Sequence, residues 1–226
     1  MNAAAAPVRI VIIAKAPRPG YAKTRLIPAL GAQGAAALAQ QMLRHAVHIA
    51  LQADVGPVEL CAAPNRHDPA WAALALPPEL TWSDQGDGDL GERMARAALR
   101  TLHRGESVLL IGTDCPQMDA SHLQGAATSL HTHHACLTPT LDGGYALLGL
   151  NQFHGSLFED MAWSTAAVAG ETRRRAAAIA WTLHLMTTLR DVDEPDDLQA
   201  LPAGWIARPD FTPNPHQNPT LNTLES

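Results

Sequence analysis

Four cations fall within the eleven residues Lys15-Ala-Pro-Arg-Pro-Gly-Tyr-Ala-Lys-Thr-Arg25, and no acidic residue lies among them. Charges packed this closely repel one another, and a bound anion relieves the repulsion. A glycine at position 20 allows the tight turn that a phosphate-wrapping loop needs. Lys15, Arg18, Gly20, Lys23 and Arg25 are therefore the expected phosphate contacts, against the plainer reading of a solvated Pro-rich loop. Lys23 and Arg25 are also expected to act on the reacting phosphates. The segment matches neither GxxxxGK[ST] nor GxGxxG, which takes most of the weight from P-loop ATPase and NAD-dehydrogenase readings.

The second constellation is Leu109-Leu-Ile-Gly-Thr-Asp-Cys-Pro116, an apolar run that delivers Asp114 to its end. A carboxylate there suits Mg²⁺ or Mn²⁺, which takes one or two protein carboxylates and completes its shell with water and phosphate oxygens. The same place also suits an Asp that caps a turn. Asp193, in Arg190-Asp-Val-Asp-Glu-Pro-Asp-Asp-Leu198, is the candidate second carboxylate, with helix capping as the competing role. Gly86 and Gly88, in Gln85-Gly-Asp-Gly-Asp-Leu-Gly-Glu-Arg93, would let bare backbone approach a base or ribose. Asp142-Gly-Gly-Tyr145 reads from its residues as a hairpin turn, or as a second close approach to the ligand. His131-Thr-His-His134 falls at a helix end without HExxH or CxxC and receives no metal role, and Cys115 has no His or Asn motif beside it.

These loops need a scaffold, and the chain between them supplies one. Short apolar, β-branched runs alternate with longer helical patterns, the pattern of an α/β layered fold with a largely parallel sheet. The runs predict strands over 8–14, 58–63, 80–82, 108–112, 135–138, 145–149 and 182–186, all in one sheet. Helices are predicted over 33–52, 89–104, 121–130 and 165–180, with Asp89 and Glu92 as a capping box, Ser121 as a cap and Ser164 just before the last helix. In an open parallel sheet, ligands collect at the carboxyl ends of strands, where the loop after 8–14 and the Asp114 loop emerge.

Composition limits the partners. The 226 residues carry a formal net charge of −6, are 46% hydrophobic and 17% charged, and include only 5 Trp, 2 Tyr and 3 Phe. That hydrophobic fraction supports a sizeable core, and the acidic, aromatic-poor balance argues against nucleic acid as a partner. The total conceals an asymmetry: Met1 to Ala53 contains six cations and no acid. Three widely spaced cysteines indicate neither disulfides nor a zinc site. The apolar run 10–14 is too short for a signal peptide or a membrane span, so the protein is expected to be cytoplasmic and without membrane insertion. One domain is expected over 1–208, followed by a mobile, Pro- and Asn-rich tail over 209–226.

In order along the chain, AKAPRPGYAKTRL, QGDGDLGERM, LIGTDCPQM, LDGGYALLGL, LFEDMAWST and LRDVDEPDDL resemble the bacterial family DUF2064 over roughly 8–201. That family is classed with GT-A glycosyltransferases in the nucleotide-diphospho-sugar transferase superfamily. The resemblance implies a three-layer αβα sandwich, Rossmann-like, with a mixed and mostly parallel sheet. It also implies a nucleotide at the end of the N-terminal half of that sheet and a metal held by Asp114 in the role of the DxD aspartate. Here the tripeptide is Gly112-Thr113-Asp114, a single carboxylate, so metal binding depends on Asp193 joining it. Some relatives are described as arsenosugar-biosynthesis glycosyltransferases, and nothing in these residues reads out arsenic.

A second resemblance, carried by Lys15, Lys23, Arg25, Asp114 and DVDEPDDL, is to guanylyltransferases that activate phospholactate, and more distantly to cytidylyl- and molybdenum-cofactor nucleotidyltransferases. The expected function is therefore metal-assisted transfer of a sugar from a nucleotide-diphosphate sugar to a small acceptor, with retention or inversion left open and Asp142 as the base at the acceptor hydroxyl for an inverting reaction. The alternatives are nucleotidyl transfer from a nucleoside triphosphate to a phosphorylated small molecule, releasing pyrophosphate, and a non-catalytic nucleotide-binding module. The fold permits both reactions and so does not choose between them.

Overall fold

A computed structural model of the chain describes residues 7–205. The expected tail, 209–226, lies outside the described residues. Seven strands form one sheet: β1 (Val8–Lys15), β2 (Val58–Ala63), β3 (Thr81–Asp84), β4 (Ser107–Ile111), β5 (Ala135–Pro139), β6 (Tyr145–Leu150) and β7 (Leu183–Leu185). Their spatial order is β3-β2-β1-β4-β6-β5-β7. β1 pairs in parallel with both β2 and β4, β2 with β3, and β5 with β7, whereas β6 runs antiparallel to β4 and β5. The sheet is mostly parallel, as the sequence pattern predicts, and mixed, as the family resemblance implies.

The central strands are apolar on both sides because helices cover both faces. On one face Ile10, Ile12, Leu60, Leu109 and Ile111 pack under α1 (Ile27–Ala53) and α4 (Ala120–Ser129). On the other, Val11, Val108, Leu110 and Leu148 pack under α3 (Leu90–Leu102) and α5 (Val168–Ala178). Each fully buried Leu or Ile in these layers contributes about 2 kcal/mol of transfer free energy. The result is a three-layer αβα sandwich. No helix among the described residues is long and apolar enough to cross a membrane.

Local chemistry sets the helix ends, with some differences from expectation. Asp89 and Glu92 form the predicted capping box, Asp89 accepting from the Glu92 N–H at 2.9 Å. Ser121 is not the α4 cap: Asp119 accepts from the His122 N–H, and the Ser121 hydroxyl donates to Asp119 Oδ1 at 2.6 Å. Ser164 does not cap α5, whose N-cap is Ala167 without a side-chain bond. Pro28 follows the start of α1, and Gly31, at φ +68°, interrupts its first turns, which explains why helical periodicity becomes legible only from residue 33. A four-residue helix, α2 (Pro69–Ala72), capped by Asp68, was not anticipated.

Candidate functional site

The sheet order reverses between β1 and β4, and at such a switch point the two following loops diverge and leave a crevice at the carboxyl edge. Lys15 ends β1, and Gly112-Thr113-Asp114 follows β4. Because β6 is inverted, the turn between β5 and β6, which carries Asp142, lies at the same edge, and so does the segment 189–193 that follows β7. Backbone bonds knit these loops together: Leu141 N–H donates to Leu189 O at 3.1 Å, and Val192 N–H donates to Asp114 O at 2.9 Å. They surround a cleft of about 630 Å³.

Lys15, Lys23, Arg25, Gly88, Asp114, Asp142 and Asp193 line this cleft; Arg18, Gly20 and Gly86 do not. The Arg18 guanidinium lies 3.3 Å from Asp68 and 4.8 Å from the Tyr21 ring centre. Gly20, at φ +75°, serves the turn of the loop. Gly86 and Gly88 also have positive φ, and a Cβ at either would meet side chains of α3: Arg96 at Gly86 and Glu92 at Gly88. Arg93 donates to Gly88 O at 2.9 Å, and Arg96 donates to the carbonyls of Gln85 and Asp87. These glycines let the loop close onto its own helix, a need distinct from the approach to a nucleoside expected of them.

The loop cations are not left to repel one another. Lys23, in the left-handed region at φ 51°, places Nζ 2.5 Å from Asp114 Oδ1 and 2.6 Å from Asp193 Oδ1, and donates to Val192 O at 2.7 Å. Its side chain is only 7% exposed. Burial alone would lower the pKa of this ammonium; Asp114 and Asp193 outweigh burial and hold it above its ordinary value. Arg25 pairs with Glu194 at 3.2 Å, both side chains exposed, a contact worth little in water. Lys15 has no ion-pair partner among the described residues. The acids that neutralise the loop come from remote segments, which a count of cations within the loop could not include.

Asp114 and Asp193 thus converge on one cation position, with Lys23 Nζ as the ion standing in it. Two carboxylates and the Val192 carbonyl are hard oxygen donors of the kind that suit Mg²⁺ or Mn²⁺. Among the described residues no group of three or more His, Cys, Asp and Glu side chains could hold a metal, so an ion here would have only this pair of protein carboxylates. Asp193 is not spent on capping: Glu194 and Asp197 form the capping box of the 3₁₀ turn Pro195–Ala200.

On the opposite wall, Asp142 Oδ1 accepts from the Thr140 hydroxyl at 2.5 Å and the Gly144 N–H at 2.9 Å, so the hairpin turn read from the sequence is present. Oδ2 makes no hydrogen bond among the described residues. Asp191, not singled out from the sequence, lines the same wall. Burial, then the nearby Asp142 charge, pushes its carboxyl up to about 6. Its signal was the alternation Asp191-Val192-Asp193: Val192 is buried, and both flanking acids line the cleft. Tyr145 and Trp163 complete the wall, edge to face at 6.4 Å. Gln85 is also buried at the cleft and donates to the carbonyls of Ala14 and Cys61, pinning β3's exit to β1 and β2. Cys115 is buried, and burial followed by the Asp114 charge pushes its thiol up, which disfavours the nucleophilic thiolate.

Solved structures share this architecture. A protein of Desulfovibrio desulfuricans G20, provisionally described as a nucleotide-diphospho-sugar transferase, is 28% identical with a TM-score of 0.77, over 84% of this chain and 83% of that one. Two more distant structures are similar in fold. Glucosyl-3-phosphoglycerate synthase from Mycobacterium tuberculosis, solved with Mn²⁺, uridine diphosphate and glucosyl-3-phosphoglycerate, is 10% identical with a TM-score of 0.53, over 87% and 76% of the two chains. A cytidylyltransferase from Leptospira borgpetersenii is 14% identical with a TM-score of 0.53, over 85% and 84%. No curated protein matches the chain. The sequence profile described as "Uncharacterized protein conserved in bacteria (DUF2064)" matches residues 46–165, more than half the chain and the stretch that supplies Gln85, Asp114 and Asp142, and the chain belongs to that family.

Proposed function

We propose that the protein is a metal-assisted glycosyltransferase that moves a sugar from a nucleotide-diphosphate sugar to a small acceptor bearing a hydroxyl. The observation that carries this reading is the division of charge across the cleft. Lys15, Lys23 and Arg25 line the cleft from the loop after β1, Lys23 and Arg25 paired there with Asp114, Asp193 and Glu194, whereas the cleft carboxylates Asp142 and Asp191 have no ion-pair partner among the described residues. Two like charges about 5 Å apart repel by about 3 kcal/mol at an effective dielectric of about 20. A phosphorylated acceptor, as nucleotidyl transfer would require, brings at least two negative charges against those carboxylates. A hydroxyl acceptor brings none and meets a base. Similarity to the Desulfovibrio protein supports the same class.

In this reading Lys15 and Arg25 neutralise the diphosphate, and Asp114 with Asp193 holds Mg²⁺ or Mn²⁺. When bound, the ion supplies Lewis-acid stabilisation of charge on the departing diphosphate. Thr140 and Gly144 fix Asp142 through Oδ1, leaving Oδ2 to take the acceptor proton. The acceptor oxygen bonds to the anomeric carbon of the donor sugar as its bond to the diphosphate oxygen breaks, and a nucleoside diphosphate leaves. Tyr145 and Trp163 offer an apolar wall to the sugar or acceptor.

The test is a thermal-shift panel of nucleotide sugars, nucleoside diphosphates and nucleoside triphosphates, each with and without Mg²⁺ or Mn²⁺, followed by product analysis. A ligand at about 100 times its Kd adds roughly 2.7 kcal/mol, or about 5–10 °C for a chain of this size. The expected result is the largest metal-dependent shift with a nucleotide sugar, and release of nucleoside diphosphate. A largest shift with a triphosphate, with release of pyrophosphate, overturns the reading in favour of nucleotidyl transfer. No shift with any member overturns both.

A further inference from the structure

We propose that Lys23 is an internal cation that competes with a divalent metal for the position between Asp114 and Asp193 and leaves it when phosphate oxygens enter the cleft, so that metal and phosphate bind as coupled events. The proposal rests on the assignment of Asp114 and Asp193 as metal ligands made above. Three oxygens, Asp114 Oδ1, Asp193 Oδ1 and Val192 O, lie 2.5, 2.6 and 2.7 Å from Nζ, one for each ammonium proton. The lysine side chain is 7% exposed, yet its two carboxylate partners are 45% and 41% exposed, so the same carboxylates remain open to the cleft. With Lys23 in place the cluster carries one net negative charge instead of two, and a dication finds its donors already taken.

The backbone places the lysine so that it can serve two partners. Lys23 is held at φ 51°, a conformation unfavourable for a side chain with a Cβ, and it starts the 3₁₀ turn Thr24–Leu26. Lys15 and Arg25 line the same cleft, so an anion drawn to them arrives beside Lys23. A phosphate oxygen gives the ammonium an alternative anionic partner, and the carboxylates are released to the metal. Linkage makes the effect reciprocal: whatever factor phosphate adds to metal affinity, metal adds to phosphate affinity. The arrangement also disfavours tight binding of free Mg²⁺ or Mn²⁺ in the absence of phosphate.

The experiment is Mn²⁺ binding, followed by the electron paramagnetic resonance signal of the free ion, without nucleotide or turnover. Lys23→Met is expected to bind Mn²⁺ at least tenfold more tightly than the wild-type protein, and Lys23→Met combined with Asp193→Asn is expected to lose that gain. Equal or weaker Mn²⁺ binding by Lys23→Met overturns the proposal. If Lys23→Met does not fold, ¹⁵N-lysine labelling of the wild-type protein reports on the same contact. The Lys23 ammonium resonance, held by its three acceptors, is expected to shift when inorganic pyrophosphate is added and its carboxylate partners are exchanged for phosphate, and an unchanged resonance at saturating pyrophosphate overturns the proposal. Failure of the glycosyltransferase reading alone, with pyrophosphate released from a triphosphate, leaves both readouts as expected; the two failures are therefore distinguishable.

Discussion

Asp142 performs two tasks through two oxygens, and two substitutions separate them. Asp142→Ala removes the acceptor for both the Thr140 hydroxyl and the Gly144 N–H. At about 1 kcal/mol per bond the hairpin turn loses roughly 2 kcal/mol, which lowers Tm by about 4–8 °C in a chain of this length. Asp142→Asn keeps an amide oxygen for those donors and also removes the like charge that bears on Asp191, so its stability stays within about 1 kcal/mol of wild type. An amide cannot take the acceptor proton, and loss of a general base lowers turnover by about 10²- to 10⁴-fold. The assays are calorimetric unfolding of both variants and nucleoside diphosphate release from the nucleotide sugar that gives the largest thermal shift. Turnover of Asp142→Asn within threefold of wild type refutes the base. An Asn variant as unstable as the Ala variant refutes the account of the turn.

Gly143 sits at φ +89°, and a Cβ there would lie 2.2 Å from the Ala166 carbonyl oxygen, so Gly143→Ala is expected to cost about 2–4 kcal/mol; a fall in Tm of under 1 °C contradicts this. Asp191 titrates at about 6 in the folded chain against an ordinary 3.8, so the folded state holds a proton between about pH 4 and 6 that the unfolded state has released, and stability falls as pH rises through that window. Asp191→Asn lacks this titration: its Tm advantage over wild type should be greatest at pH 7–8 and shrink towards pH 4, and a difference independent of pH counts against a carboxyl raised by burial and the Asp142 charge. Cys115, buried and with its thiol pushed up, should resist iodoacetamide at pH 8 until the protein unfolds; native alkylation at the rate of free cysteine would be the contrary result.

Much of the scaffold is legible in the chain because its signals are local. Runs such as Val8-Arg-Ile-Val-Ile-Ile and Val108-Leu-Leu-Ile read as strands from β-branching and length alone, and all seven predicted strands occur within a residue or two of their expected bounds. Helix caps are less determinate. Asp119 and Ser121 are both good N-cap residues two positions apart, and only the extended backbone at Asp119, φ −130° and ψ 178°, selects between them. The fourfold cation loop was visible in the sequence, but Arg18 turned outward to Asp68, because the acid that attracts it lies 50 residues away.

The sequence by itself determined the elements, the positive loop after the first strand, and the placing of Asp114 at a strand end, since each depends on residues close together in the chain. Only the tertiary structure decided what those groups do to one another. Inverting β6 beside β4 brings the Asp142 turn to the edge from which Asp114 emerges. The bond from Val192 to Asp114 carries Asp191 and Asp193 to the same place. Lys23 meets Asp193 across 170 residues of chain. Charge pairing acts through space over a few ångströms, and no local pattern records which remote carboxylate will stand at that distance.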